Sequence, residues 1–411
     1  MQLEPENCVK NKMFLYLFLT LVVLASGSQL STDRSLLISA LLVASSGIIF
    51  IMSGKTTLSI YTILVPGIFF SFLMVQSRFV EGTNFDVAIK LTVLMLCVFI
   101  GINVIKSSAI DYLSVLANII KFFMYLSFVV YVLILLGVNL PQVYISELDY
   151  YSTLYLGVEN IADGLAGSGI TLPRSFGIFC EPGLYQIFLN YLIIFILFIK
   201  KKRSKKDLLQ LIFIVINIVL TFSIIGYVVA VCLIFLFIFL RQNKLMSKIL
   251  LIMLYIIVIA FVFPIISDFL RFKMTTGSFE TRTADITLGL DVLFDNFWFG
   301  TGLDQIAYRK AYEDVYQRFR GNTNGLLSIG IIYGVFGIIF YYVGIKKFLK
   351  EIKAIYGVVA AIAMLGWLIA SLINEPIQNS CLLYAFMALG WIKLKEVKNR
   401  KAVCQQISKQ K

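Results

Sequence analysis

The sequence predicts an all-α, polytopic integral membrane protein of about 12 transmembrane helices, with two long external loops. Three observations carry this. Hydrophobic residues make up 59% of the 411 and charged residues only 14%, against the roughly 25% charged residues of a soluble domain. Apolar runs reach the length of roughly 17–25 residues that crosses a bilayer. The basic residues are sorted between the two sides of those runs, as the positive-inside rule requires. The chain reads as one membrane domain, 1–411, because no polar segment is long enough to build a second.

In chain order the spans fall at 13–30, 36–53, 58–75, 87–105, 114–138, 178–199, 208–222, 225–240, 249–268, 323–344, 354–373 and 377–392. The first resembles a signal peptide, with Lys10 and Lys12 ahead of the apolar core and Ala25-Ser26-Gly27 after it. In a polytopic chain it is read as a retained first span. The stretch 208–240 is long for one crossing and short for two. Basic clusters on both flanks, Lys200 to Lys206 and Arg241 to Lys248, both favour the cytoplasm, so the chain must go out and return. The break is placed at Thr221-Phe222-Ser223.

With both termini cytoplasmic, inside loops and tails hold 24 Lys and Arg and outside loops 10, while Lys90 and Lys121 lie within spans, which accounts for all 36. This asymmetry explains the net charge of +13 without nucleic acid. The tail 393–411 is a cytoplasmic topology signal. Eight of the ten outside cations are arginine: Arg34, Arg78, Arg174, Arg271, Arg282, Arg309, Arg318 and Arg320. Charge sorting has no preference between arginine and lysine. A planar guanidinium, however, binds phosphate or carboxylate through two hydrogen bonds at once. Pairing with external acids accounts for part of the set.

The first external loop, 139–177, is rich in Tyr, Ser and Gly and carries Tyr144, Tyr150, Tyr151 and Tyr155. Such residues suit sugar faces and hydroxyls, and equally an interfacial belt. The second, 269–322, contains an amphipathic stretch at 284–299. There Ile286, Leu290, Leu293 and Phe297 recur at helical spacing, Arg282 precedes them, and Gly300-Thr301-Gly302 ends the helix.

Arg174 to Gly183, RSFGIFCEPG, sets an arginine and a glutamate at the mouth of a span. Fixed charge there is costly and usually functional. A residue before proline avoids the helical region, so Glu181 should be extended, with Pro182 in the first turn of the next helix. Glu181 is then either a helix cap or a reactive carboxylate. Asn374-Glu375-Pro376 repeats the arrangement on the same side. The six cysteines show no paired spacing, and histidine is absent. Any catalysis must therefore use carboxylates, arginines, hydroxyls or amides. No nucleotide-binding glycine loop is present, so the energy for a reaction must arrive with the substrate. The expected cofactor and metal complement is none.

These motifs resemble the O-antigen and capsule repeat-unit polymerases, Wzy-like proteins of the O-antigen ligase/polymerase superfamily. RSFGIFCEPG is similar to that family's arginine–glycine–phenylalanine–glutamate–proline element. TFSIIGY, 221–227, resembles its Thr-x-Ser turn, with Ile224 where an arginine is common. RTADITLGLDVLFDNFWFGTGL, 282–303, resembles its arginine-led amphipathic helix. NTNGLLSIGIIYGVFG, 322–337, resembles a span that begins His-Asn in ligases; here Thr323 takes the histidine position and Asn324 is kept. Asn374 to Pro376 resembles a late polymerase element. The resemblance covers about Arg174 to Trp391.

The resemblance implies a GT-C-like glycosyltransferase architecture in a bacterial cytoplasmic membrane. It implies polymerisation, on the external face, of oligosaccharide units carried on undecaprenyl pyrophosphate. Arg174 and Arg282 would stabilise the leaving pyrophosphate, with Arg320 assisting. Glu181 would be the base and Glu375 the alternative. Asn324, Tyr150 and Tyr151 would bind substrate. Implied partners are the bilayer, a chain-length regulator and a flippase of the same pathway, and no nucleic acid. Two other readings are a flippase for the same lipid-linked units, which should show two similar halves, and a ligase acting on another acceptor.

Overall fold

The computed structural model describes residues 5–392, except 54–57, 109–110, 139–142, 146–149, 153–158, 162–172, 254 and 256–276. The described chain is a helical bundle. Its helices are α1 (Pro5–Leu24), α2 (Gln29–Asp33), α3 (Ser35–Met52), α4 (Tyr61–Phe79), α5 (Phe85–Ser107), α6 (Tyr112–Leu135), α7 (Pro182–Ile194), α8 (Lys205–Leu220) and α9 (Ile224–Arg241). A short helical piece, α10, covers 245–253. Then follow α11 (Gly277–Asp295), α12 (Ile306–Tyr316), α13 (Gly325–Tyr356), α14 (Val358–Asn374) and α15 (Cys381–Trp391).

Among the described residues seven helices are long and apolar enough to cross a membrane: α3, α4, α5, α6, α7 with its final π turn, α9 and α13. Met13–Leu24, Val358–Asn374 and Cys381–Trp391 are shorter apolar helices. The predicted span 208–222 is occupied by α8. The predicted span 249–268 falls mostly outside the described residues, as does the tail 393–411. The α1 helix is packed into the bundle, with Phe18, Leu19 and Val22 fully buried.

The chain does reverse at Thr221-Phe222-Ser223. Phe222 takes a left-handed conformation at φ 48, and Ser223 caps α9 by accepting from the Gly226 amide. At the bundle centre lies α7, with every residue of Pro182–Ile194 but Leu184 buried. Backbone carbonyls and amides around it tie it to its neighbours. Trp367 Nε1 donates to Ile187 O at 2.9 Å, Tyr191 Oη to Leu113 O at 2.9 Å, and Asn190 Nδ2 to Gly226 O at 3.2 Å.

The two long loops predicted to be external hold more structure than their composition indicates. In the first, β1 (Val143–Ile145), β2 (Tyr150–Ser152), β3 (Glu159–Ile161) and β4 (Arg174–Ser175) form an antiparallel meander. Register pairs Tyr144 with Tyr151 and Ile161 with Arg174. This is a departure from a purely helical chain, in strands too short for alternation to be readable. In the second loop the amphipathic helix is Gly277–Asp295 rather than 284–299, and α12 was not expected. Tyr308 and Tyr312, four residues apart, are buried on one face of α12 and join Ala284, Val292 and Ile331 in a satellite core.

The helix at 284–299 stops early because its last residues have another task. A break in α13 at Gly334, φ 60 and ψ −153, exposes unpaired backbone groups that a membrane environment does not tolerate. The loop after α11 satisfies them. Thr301 N donates to Ile331 O at 2.6 Å, Gly302 N to Ile332 O at 3.2 Å, and Val335 N to Phe297 O at 2.8 Å. Gln76 Nε2 adds bonds to Phe299 O at 2.5 Å and Ile332 O at 2.6 Å. A Cβ at Gly334 would lie 2.5 Å from Trp298 O, and one at Gly300, φ +70, 2.4 Å from Ile332 O. The glycine run is therefore a docking joint as well as a helix stop.

Gly334→Ala should lower the thermal stability of the detergent-solubilised protein by about 1–3 kcal/mol, the cost of a residue forced into a glycine-only region. Gly47→Ala in α3, with nothing within 4 Å of its Cβ position, is the control. Equal melting of both variants would remove the joint.

Candidate functional site

Both glutamate–proline pairs adopt the predicted extended geometry. Glu181 has φ −140 and ψ 145, and Glu375 φ −141 and ψ 146. The local sterics of a residue before proline account for both. Pro182 then opens α7, and the Glu181 side chain makes no capping hydrogen bond, so its carboxylate is not spent on the helix.

The segment that delivers Arg174 and Glu181 is pinned along its length. Tyr131 Oη donates to Pro173 O at 2.9 Å. Gln29 N donates to Ile178 O at 2.9 Å, and Cys180 N to Gly27 O at 3.3 Å. Gly177 turns at φ +60, where a Cβ would strike the Tyr185 ring at 2.7 Å. Glu375 is delivered from below by the 3-10 turn Ile377–Asn379. Asn379 Oδ1 accepts from Tyr333, Tyr341 and Tyr384 at 2.6, 3.2 and 3.2 Å, so three hydroxyls hold that turn to α13 and α15.

Glu181, Arg282 and Arg174 all lie within electrostatic reach of Glu375. Asn374 links the pair to α11: Arg282 Nη1 donates to Asn374 Oδ1 at 3.1 Å, and Asn374 Nδ2 to Glu375 Oε1 at 2.8 Å. Their surroundings differ despite their matching backbones. Glu181 is exposed, while Glu375 is only 4% exposed. Burial pushes the Glu375 carboxyl well above the usual carboxylate range. The charge of Glu181 pushes the same way, and Arg282 and Arg174 pull against it by less. The buried member is thus biased toward its neutral form, while the exposed member is open to a substrate.

Arg174 is partly engaged by the fold. Its Nε donates to Thr221 O at 3.2 Å and its Nη2 to Phe222 O at 3.4 Å. It thereby closes the exposed carbonyl end of α8 and couples the α8–α9 turn to the site. Arg320 is drawn away from the acid pair. Its Nη2 binds Asp285 at 2.6 and 2.8 Å, and its guanidinium lies 4.8 Å from the Tyr312 ring centroid. Asn324 caps α13, its Oδ1 accepting from Leu326 N and Leu327 N at 3.1 Å each. The backbone of Tyr150 and Tyr151 lies in the sheet, and their side chains fall outside the described residues.

Three residues of the site had not been singled out. Asn374 stands in the same motif as Glu375, and its position beside two charges was the available signal. Asp285 is fully buried. Besides Arg320 it accepts from Tyr308 Oη, Thr323 Oγ1 and the Thr323 amide. It locks α11, α12 and the start of α13 together and thereby sets the rotation of α11 that turns Arg282 toward Asn374. No spacing rule marks it. Gly183 supplies the space for the acid pair: a Cβ there would lie 1.7 Å from Glu375 Oε1 and 2.9 Å from Asn374 Nδ2.

Gly183 has helical backbone, so Gly183→Ala keeps a favourable local conformation, but the added methyl must displace the buried Glu375 carboxyl and strain its hydrogen bond from Asn374. A displacement of that size should lower activity by about 10²-fold. Wild-type turnover from well-folded Gly183→Ala protein would show that the acid pair needs no such placement.

A family model described as O-antigen ligase, Wzy_C, matches residues 209–342. The matched segment runs from α8 into α13 and includes Arg282, Asp285, Arg320 and Asn324, while Arg174, Glu181 and Glu375 lie outside it. It supports a place in the O-antigen ligase/polymerase superfamily and a glycosyltransferase-like enzyme of the ligase/polymerase kind. No curated protein matches the chain.

Proposed function

We propose that the protein polymerises oligosaccharide repeat units carried on undecaprenyl pyrophosphate, on the external face of a bacterial cytoplasmic membrane, with both termini in the cytoplasm. The observation that carries this is the gathering of Arg282, Asn374, Glu375 and Glu181 where α7 begins, the first turns of α11 pass and α14 ends. A lipid pyrophosphate lies at headgroup level, and its reacting sugar must find a base and a cation together at that level.

In the proposed reaction the acceptor sugar hydroxyl gives its proton to Glu181, and its oxygen forms a bond to the anomeric carbon of the donor chain. The bond from that carbon to the pyrophosphate oxygen breaks. Undecaprenyl pyrophosphate leaves with the electron pair, and its growing charge is met by Arg282. Arg174 contributes field from its seat on the α8–α9 turn. Arg320 is reassigned from substrate to scaffold, since Asp285 already holds its guanidinium. Asn324 contributes through the cap that starts α13.

Ligation to a different acceptor is the second reading, favoured by the description of the matching family. Against it stands Thr323, which occupies the position of the ligase histidine and gives its hydroxyl to Asp285. Purified protein mixed with lipid-linked repeat units should yield a ladder of products. A single transfer to another acceptor, with no ladder, would favour the ligase. No transfer of any kind, with the lipid-linked units moved across vesicles instead, would favour a flippase.

A further inference from the structure

We propose that Arg203 and Arg241 form a phosphate site for the headgroup of an anionic phospholipid, at the end of α7 away from Glu181. The helical stretch Pro182–Ile199 separates the two places by 18 residues, about 27 Å at 1.5 Å per residue. The site is therefore distinct from the acid pair, and it stands or falls independently of the transfer reaction.

The first ground is charge. Between 200 and 253 the chain carries nine Lys and Arg and one acid, Asp207. These residues gather where α7 with its π turn ends, α8 begins and α9 ends. Asp207 is spent locally. Lys200 Nζ donates to its Oδ1 at 2.5 Å, and Ser204 N and Oγ donate to its Oδ2 at 2.7 and 3.0 Å. Among the described residues neither Arg203 nor Arg241 forms an ion pair with an acid.

The second ground is which cations meet. Eight of the eleven arginines fall in loops read as external, leaving Arg203, Arg241 and Arg400. Two of those three converge on one ring: their guanidinium carbons lie 4.8 and 4.7 Å from the Phe237 centroid. Both arginines are exposed and Phe237 is half-buried. Arg203 is fixed there, with Nε donating to Ile196 O at 2.9 Å and Nη2 to Leu197 O. These bonds cap the π turn and leave the Nη1 group for an anion. Two cations on one ring repel each other. A phosphate between them removes the repulsion and can take two N–H groups from each fork. Charge sorting across a membrane asks for cations at this end, and gives no reason for two guanidinium groups on a shared ring.

The third ground is depth. The arginines stand where α7 and α9, both long enough to cross a bilayer, come to an end, which is the level of lipid phosphates. From there α8 and α9 continue into the span with exposed apolar side chains, Leu208, Leu209 and Ile212 on α8, and Ile238 and Leu240 on α9. A free phosphate has no use for that flank, whereas the acyl chains below a headgroup cover it. Basic groups beside the ends of spans bind anionic headgroups by this combination of charge and depth.

Native mass spectrometry of the full-length protein in neutral detergent, titrated with phosphatidylglycerol or with phosphatidylcholine, tests the site. The wild type should retain phosphatidylglycerol in preference to phosphatidylcholine. Arg241→Lys keeps the charge, and with it the topology signal, and loses only the fork. Its retention of phosphatidylglycerol should fall about 10- to 100-fold, the worth of one charge-assisted hydrogen-bonded contact. Lys206→Gln removes a whole charge from the same basic run and should lower retention by less than about threefold. Arg241→Lys leaves the carbonyl bonds of Arg203 in place, so its lipid-free thermal unfolding should match the wild type. Inorganic phosphate at matched ionic strength should leave the bound lipid in place. Equal retention of the two lipids by the wild type, or unchanged retention in Arg241→Lys, overturns the proposal. Equal losses in Arg241→Lys and Lys206→Gln overturn it too, since diffuse surface charge would then suffice. Displacement of the lipid by phosphate would assign the arginines to a free anion and overturn the lipid as their ligand.

Discussion

Glu181→Gln lowers ladder formation by about 10²–10⁴-fold, the range expected for loss of a positioned general base. Glutamine matches glutamate in size and keeps an acceptor oxygen, so the fold is not disturbed. What is lost is the capacity to take the acceptor proton. The exposed position of Glu181 and the absence of any capping bond from its side chain mean that stability should stay near wild type. This separates Glu181→Gln from variants that act through the scaffold. At the Asp285 hub, for example, an Asp285→Asn change disturbs Arg320, Tyr308 and Thr323 together. The checking measurement is initial rate at matched protein level, with thermal unfolding alongside. Retained rate in Glu181→Gln would exclude a carboxylate base at this position.

Arg282→Lys lowers the rate by about 30- to 1000-fold, the equivalent of roughly 2–4 kcal/mol of transition-state stabilisation. One arm of the Arg282 guanidinium already binds Asn374 Oδ1 at 3.1 Å. The planar fork can hold that oxygen and still present further N–H groups to a phosphate, while a lysine ammonium is a compact point charge on a flexible stem. The loss should appear in kcat more than in KM, because the pyrophosphate gains charge as it leaves. Arg309→Lys serves as control, since its guanidinium lies over the Phe319 ring with 5.2 Å to the centroid. A full ladder from Arg282→Lys would remove Arg282 from the pyrophosphate. Equal failure of Arg309→Lys would assign both effects to folding.

The helical bundle was legible because it rests on near-neighbour physics. An apolar run long enough to span a bilayer has few alternatives to a helix, since lipid offers no partner for backbone amides. The return at Thr221 to Ser223 was legible from flanking charge alone. The sheet in the first loop was not, because its strands run two or three residues. The early end of α11 was not legible either, since it depends on a helix break at Gly334 that only the docked loop explains. Among the site residues, Glu181, Glu375, Arg174 and Arg282 were each visible as charges beside spans. Gly183 and Asp285 were not. An empty volume and a buried hub leave no trace in spacing.

By itself the sequence determined the membrane class, most of the apolar helices and the extended backbone of both glutamates before proline. Each follows from hydropathy or from the sterics of adjacent residues. The tertiary structure alone decided which glutamate is buried and which is open, that Arg320 serves Asp285, that Arg174 closes a helix end, and that Arg282 reaches Asn374. Those outcomes depend on residues far apart in the chain, 92 positions apart for Arg282 and Asn374. Two glutamates with the same local conformation acquire different environments only when packing removes water from one of them. Burial and pairing are properties of the assembled bundle, and no window of sequence contains them.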